Sequence, residues 1–160
     1  MRVGIYAGSF DPIHAGHIGF ALQALQKTSL DTVLFLPERH PRRKPGVTHY
    51  AHRMAMLKLA LAAHPALDVL ELPDRRFTVA TSLPRLDRLY PADELFLLMG
   101  SDAVYGLGKW PLVDVLLRRA GLVIGMRGSD QEVTIRERLS VLPEKPVELH
   151  VLVSPAPIVS

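Results

Sequence analysis

Six apolar runs of strand length recur at wide intervals along the 160-residue chain, at 3–7, 32–36, 67–72, 94–99, 121–126 and 148–153. They are rich in Val, Leu, Ile and Phe with little polar alternation, the pattern of strands covered on both faces. Between most of them lie stretches of helical spacing, such as Ile18, Leu22 and Leu25, then Met54, Leu57 and Leu61. Connections this long exclude hairpins and imply right-handed crossovers. The expected fold is therefore α/β, a Rossmann-like parallel sheet flanked by helices on both faces. Ligands of such sheets bind beyond the carboxyl ends of the strands. Pro84 interrupts the helical pattern at 78–89, which places the helix start near Ser82 with Pro84 in the first turn. Pro111 reads as the first residue of a helix at 111–118.

No internal repeat or long Gly/Ser or Pro-rich linker divides the chain, and 48% hydrophobic with 22% charged residues suits one packed domain spanning 1–160. The absence of cysteine removes disulfides and thiolate metal sites from consideration. No run approaches the roughly 18 apolar residues of a membrane span, and the first residues are too short an apolar run for a signal peptide. A soluble, cytoplasmic protein without a membrane partner is the expectation. A net charge of +3 is too small and dispersed to argue for a nucleic-acid partner. One local cluster stands out, formed by Arg39, His40, Arg42, Arg43 and Lys44.

Directly after the first run comes Gly8-Ser9-Phe10-Asp11-Pro12-Ile13-His14-Ala15-Gly16-His17, followed by the first amphipathic stretch. This is strand, loop, helix start. Unpaired backbone N–H groups and the positive end of the helix dipole stabilise a phosphate there. Gly8 and Gly16 let backbone approach a ligand. With a helix beginning near Ala15, His14 and His17 point from one end toward one anion. Nucleotidyl transfer asks a protein chiefly to position and to stabilise charge on phosphate oxygens, and two histidines with backbone N–H groups meet that need. A pair of ordinary capping histidines is the plainer alternative. His49-Tyr50-Ala51-His52 repeats the spacing, but neither pair has an obvious third ligand for a dedicated metal site. No GxxxxGK[ST] is present, and Gly106-Leu107-Gly108 lacks the third glycine of the dinucleotide fingerprint.

The ten-residue loop resembles the G-[ST]-F-D-P-x-H-x-G-H signature of the nucleotidyltransferase superfamily and matches it without a departure. Downstream segments are similar to the bacterial nicotinate-mononucleotide adenylyltransferases. Pro37-Glu38-Arg39-His40-Pro41-Arg42-Arg43-Lys44 falls where that family has P-N-x-x-P-P-H-K, with Arg42 and Arg43 in place of Pro-His. Arg53, Met56 and Leu57 resemble its R-x-x-M-L helix start. The segment 77–83 is similar to S-Y-T-x-x-T-L, with Phe77 for Tyr and an extra residue before the leucine. Gly100, Asp102, Trp110, Leu116, Ala120 and Arg127 resemble G-x-D…W…L…A…R.

The resemblance implies that Gly8, Ser9, Phe10, His14, His17, Gly100, Asp102 and Arg127 bind ATP, with His14, His17 and Lys44 catalytic. It also implies that Lys44, Thr78, Thr81 and Trp110 face the acceptor, with Trp110 stacking on a pyridine ring. A partly buried packing role is the alternative for Trp110, and a solvated loop is the alternative for Lys44. The implied reaction moves AMP from ATP to nicotinate mononucleotide, giving deamido-NAD and pyrophosphate, with Mg²⁺ arriving on ATP. Nicotinamide mononucleotide, 4′-phosphopantetheine and a non-catalytic nucleotide-binding role remain open. The family continues with I-S-[ST]-T-x-[IL]-R after its last strand, whereas this sequence stops at Pro157-Ile158-Val159-Ser160, so that motif and its helix are expected to be missing.

Overall fold

The computed structural model describes residues 1–41, 46, 48–127 and 130–153. Strands β1 (Arg2–Gly8), β2 (Thr32–Pro37), β3 (Leu67–Val69), β4 (Glu94–Gly100), β5 (Ala120–Gly125) and β6 (Leu149–Leu152) alternate with helices. These are α1 (Ala15–Thr28), α2 (Tyr50–Leu61), α3 (Val79–Leu89), α4 (Ser101–Leu107), α5 (Val113–Arg119) and α6 (Glu132–Ser140). The six strands form one sheet in the order β3-β2-β1-β4-β5-β6, every neighbouring pair parallel. The order reverses between β1 and β4, so the chain leaves these two strands in opposite directions and opens a crevice above their carboxyl ends.

Alternation along β1 divides the core between the two faces of the sheet. Val3 and Ile5 join a cluster with Leu83 and Leu86 of α3 and Leu116 and Leu117 of α5. Tyr6 points the other way, into a cluster with Phe20, Ala21 and Ala24 of α1 and Leu57 and Leu61 of α2. The expected doubly covered sheet is the one observed.

Four local expectations need correction. The buried stripe of α1 is Phe20, Ala21, Ala24 and Thr28, while Leu22 is exposed. Leu22 lies about a quarter-turn round from Ala21, outside the stripe. β3 is shorter than the apolar run and ends at Val69, whose register partner on β2 is Phe35. α3 starts at Val79, not near Ser82, since Thr78 caps it by accepting from the Thr81 N–H. Pro84 therefore lies in the second turn, where it deprives the Ala80 carbonyl of a donor, and both residues are exposed so that water can replace it. Pro111 is not the first residue of α5, because Leu112 takes a left-handed conformation (φ 62°) that turns the chain and helix begins at Val113.

Candidate active site

The start of α1 is built from the two histidines of the loop. His14 is the N-cap, and its Nδ1 accepts from the Gly16 N–H at 3.1 Å. His17, three residues on, returns the bond, its Nδ1 accepting from the His14 N–H at 3.2 Å. This is a capping box made of imidazoles, with the rings stacked at 3.7 Å and 22°. Because each Nδ1 accepts a backbone hydrogen, the proton of a neutral ring sits on Nε2. Burial, helped by the Arg127 guanidinium, lowers the His14 pKa and so favours the neutral ring. His14 thus turns an N–H donor away from the helix.

The loop before α1 is held from below. Phe10 has φ 46°, a conformation rare for an aromatic residue, and its ring is buried between Tyr6, Phe35 and His17. Its ring is core, leaving backbone as its contribution to a ligand. A Cβ at Gly8 would come within 3.2 Å of the Phe10 ring, so this glycine admits the aromatic. Arg53 of α2, 1% exposed, anchors the loop from the side. Its guanidinium donates to the carbonyls of Thr48 at 2.9 Å, Ser9 at 2.7 Å, Glu38 at 2.8 Å and Arg39 at 3.3 Å.

The opposite wall comes from the ends of β4 and β5. Ser101, fully buried, donates to Asp130 at 2.5 Å and accepts from the Arg127 N–H at 2.9 Å, which fixes the turn after β5. The Arg127 side chain lies over Gly100, where a Cβ would fall 2.2 Å from Nε, and Nε faces the Asp102 carboxylate at 3.5 Å. Gly100 makes room for a guanidinium, a different reason for the glycine from the close ligand approach expected of it.

These pieces enclose a cleft of about 460 Å³ lined by Tyr6, Gly8, Ser9, Phe10, Asp11, His14, His17, Asp102 and Arg127, among others. Among the described residues, four buried side-chain polar atoms lack a hydrogen-bond partner, and three of them, Tyr6 Oη, His14 Nε2 and Arg127 Nε, belong to residues of this one cleft. Buried polar groups are nearly always paired, so a cluster of orphans marks where a ligand supplies acceptors. All three can donate, and although the Tyr6 hydroxyl can also accept and Arg127 Nε faces Asp102 at 3.5 Å, the surplus of donors favours an anion.

The residues expected at the acceptor do not line this cleft. Thr78 and Thr81 are exposed at the start of α3, their hydroxyls 2.5 Å apart. Trp110 is half-buried against the core, its ring 6.2 Å from that of Phe77, which precedes Thr78. The fold therefore groups these residues with one another. Lys44 lies outside the described residues, as do Arg42 and Arg43. Arg39 is tied down by a bond to the Leu72 carbonyl and by stacking on Tyr50. His49 caps α2 through Nδ1, with His52 6.5 Å away ring to ring, and no group of three His, Cys, Asp or Glu suited to a metal occurs among the described residues. Sequence reasoning passed over Tyr6 as a cleft residue and over the anchoring part played by Arg53. The only signals were a hydroxyl inside an apolar strand and an arginine inside an apolar helix face.

The chain matches the cytidylyltransferase-like family model over residues 5–154. A Roseiflexus castenholzii protein named "probable nicotinate-nucleotide adenylyltransferase" is 36% identical over 154 residues, covering 92% of this chain and 76% of that one. A Solibacter usitatus protein of the same name is 36% identical, covering 83% and 74%. The Plasmodium falciparum nicotinic acid mononucleotide adenylyltransferase complexed with NaAD superposes with a TM-score of 0.79 over 97% of this chain and 76% of its own, and at 18% identity that likeness speaks for the fold. By its family match and by these relatives, this chain belongs to the cytidylyltransferase-like family, among the nicotinate-nucleotide adenylyltransferases.

Proposed function

We infer that this protein transfers the adenylyl group of ATP to nicotinate mononucleotide, releasing pyrophosphate and deamido-NAD. The observation that carries the chemistry is the set of unpaired donors around one cleft at the start of α1. A phosphate oxygen of the mononucleotide attacks the α-phosphorus, and the bond to the bridging oxygen of pyrophosphate breaks. Negative charge moves toward that leaving group. His14 donates to it from a neutral Nε2–H whose tautomer the capping box fixes, and His17 presents the same tautomer. Donors set before the reaction begins stabilise the developing charge without reorganisation. Asp102 accepts from a ribose hydroxyl, and Lys44 adds a cation to the triphosphate. Thr78, Thr81 and Trp110 are proposed to receive the nicotinate ring.

The names of the relatives support the acceptor. Mg²⁺ is proposed to arrive on ATP. With no group of three suitable ligands among the described residues, phosphate oxygens and water would hold it, and it would neutralise triphosphate charge. A single sheet supports reading the chain as one nucleotidyltransferase domain. No helix among the described residues is long and apolar enough to cross a membrane. The test is pyrophosphate release with ATP and, in turn, nicotinate mononucleotide, nicotinamide mononucleotide and 4′-phosphopantetheine. Turnover is expected with the first and at most weakly with the others. Silence with both mononucleotides would sink the reading.

A further inference from the structure

We propose that Tyr6, through its phenolic hydroxyl, is a direct ligand of the ATP triphosphate, a contact that rests on the adenylyltransferase reading above. Tyr6 sits in the middle of the sheet on β1, and its ring is locked on several sides. Phe10 and Phe20 meet it edge-on at 5.3 and 5.4 Å, and Phe35 lies tilted at 5.3 Å. A residue used only to fill this aromatic cluster has no need of a hydroxyl, because phenylalanine fills the same space. The hydroxyl is nonetheless there, on a residue 4% exposed, and the group beside it is the Arg127 guanidinium, which only donates, so the hydroxyl hydrogen has no acceptor among the described residues. Leaving a buried hydroxyl hydrogen without an acceptor is destabilising, so that acceptor belongs to something the free protein does not hold.

Its surroundings say what that partner is. Tyr6 lines the cleft that His14 and Arg127 also line; His14 Nε2 is a donor without a hydrogen-bond partner, and Arg127 is a cation whose Nε meets the Asp102 carboxylate only at 3.5 Å. Burial raises the Tyr6 pKa to about 12 against the charge and hydrogen bond of Arg127, so the phenol stays protonated and its O–H remains available as a neutral donor. Three residues that can donate, on β1, at the start of α1 and after β5, line one space. A phosphate chain offers several acceptor oxygens there, and a ribose or base offers few. Tyr6 thereby contributes a contact from the floor of the sheet in addition to those from the helix start.

The substitution Tyr6→Phe removes one oxygen and keeps the ring packing. Relief of an unpaired buried hydroxyl should raise the melting temperature of the nucleotide-free protein. Loss of a bond to a charged acceptor should weaken binding of a non-hydrolysable ATP analogue by about tenfold or more. Adenosine binding should be unchanged. Calorimetric titration of both ligands into wild type and variant, with a thermal melt of each free protein, reads all three. Equal analogue affinity in the two proteins overturns the proposal. Equal weakening of adenosine and the analogue overturns the triphosphate contact and assigns the hydroxyl to the nucleoside. A markedly lower melting temperature of the free variant shows that the hydroxyl hydrogen has an acceptor inside the protein, which also overturns it. If wild type itself fails to bind the analogue, the adenylyltransferase reading fails first, and that result is distinct from the others.

Discussion

At the scale of single residues, His14 carries two duties that one substitution can separate. Its Nδ1 caps α1, and its Nε2, on a residue that lines the cleft, has no hydrogen-bond partner among the described residues. Asparagine is among the best N-caps but is too short to put a donor where Nε2 stands. His14→Asn should therefore keep the melting temperature within a degree or two of wild type while lowering kcat by roughly 10²-fold, the scale of losing one positioned donor. His14→Ala should lose the same activity and in addition about 1 kcal/mol of stability with the cap. Wild-type kcat in the asparagine variant would leave His14 a cap and nothing more. Both histidines were legible in the sequence because a strand followed by a glycine-bounded loop and a helix start announces an anion site locally. Tyr6 was not, because nothing on β1 distinguishes a hydroxyl that faces a cleft from one that faces a core. That distinction depends on Arg127, more than a hundred residues away in sequence.

Among elements, the clearest coupling runs through Arg53, which ties α2 to the phosphate loop at Ser9 and to the segment after β2 at Glu38 and Arg39. Four backbone carbonyls share one planar guanidinium, a fork that an ammonium cannot copy. Arg53→Lys, with three N–H groups on one atom for four carbonyls, should leave at least one of them without a donor and cost about 2–4 kcal/mol of stability. It should also raise KM for ATP more than it lowers kcat, because the loosened part is the binding loop. A chemical denaturation curve and ATP kinetics on the same preparation check both. Trp110 poses the opposite question at the start of α3. The resemblance assigned it to ring stacking, and the fold places it half-buried beside Phe77. If it stacks on nicotinate, its fluorescence, the chain's single tryptophan signal, is quenched by the mononucleotide but not by 4′-phosphopantetheine. Trp110→Ala then weakens mononucleotide binding by about 1–3 kcal/mol, by analogy with base–aromatic stacking. Flat fluorescence at saturating mononucleotide, with a variant that no longer folds, would make Trp110 a packing residue. Element order was readable from the apolar runs, but two helix starts were misread, because a proline rule was applied where the deciding features were a threonine cap and a left-handed leucine.

For the whole molecule, the sheet separates chemistry from cohesion. The crevice lies at the carboxyl ends of β1 and β4, while the amino ends are joined by charge. Arg2, at the first residue of β1, donates to Glu148 at 2.7 Å and to Glu94 at 3.4 Å, and to the backbone carbonyls of Thr28 and Ser29. Its guanidinium lies over Phe96 at 4.5 Å. Glu148 bonds His150 as well, so one carboxylate links β1 to the edge strand β6. The Arg2 bond first, and His150 second, bring the Glu148 pKa down to about 2 from an ordinary 4.5. A carboxylate whose folded pKa is depressed binds fewer protons than the unfolded chain does. Its stabilisation is complete above about 4.5 and is lost as pH falls toward about 2. Partial exposure of the side chain, 36%, screens the pair and keeps the effect modest. Glu148→Gln should therefore lower the melting temperature at pH 7, and the two proteins should converge as the pH is taken from 4.5 toward 2. ATP affinity at neutral pH should not change, because the cluster stands at the end of the sheet away from the cleft. Melting curves across that window decide the matter. A constant gap between variant and wild type down to the lowest pH would show that Glu148 acts through packing and not through its charge, and the amino-end network would then lose its electrostatic account.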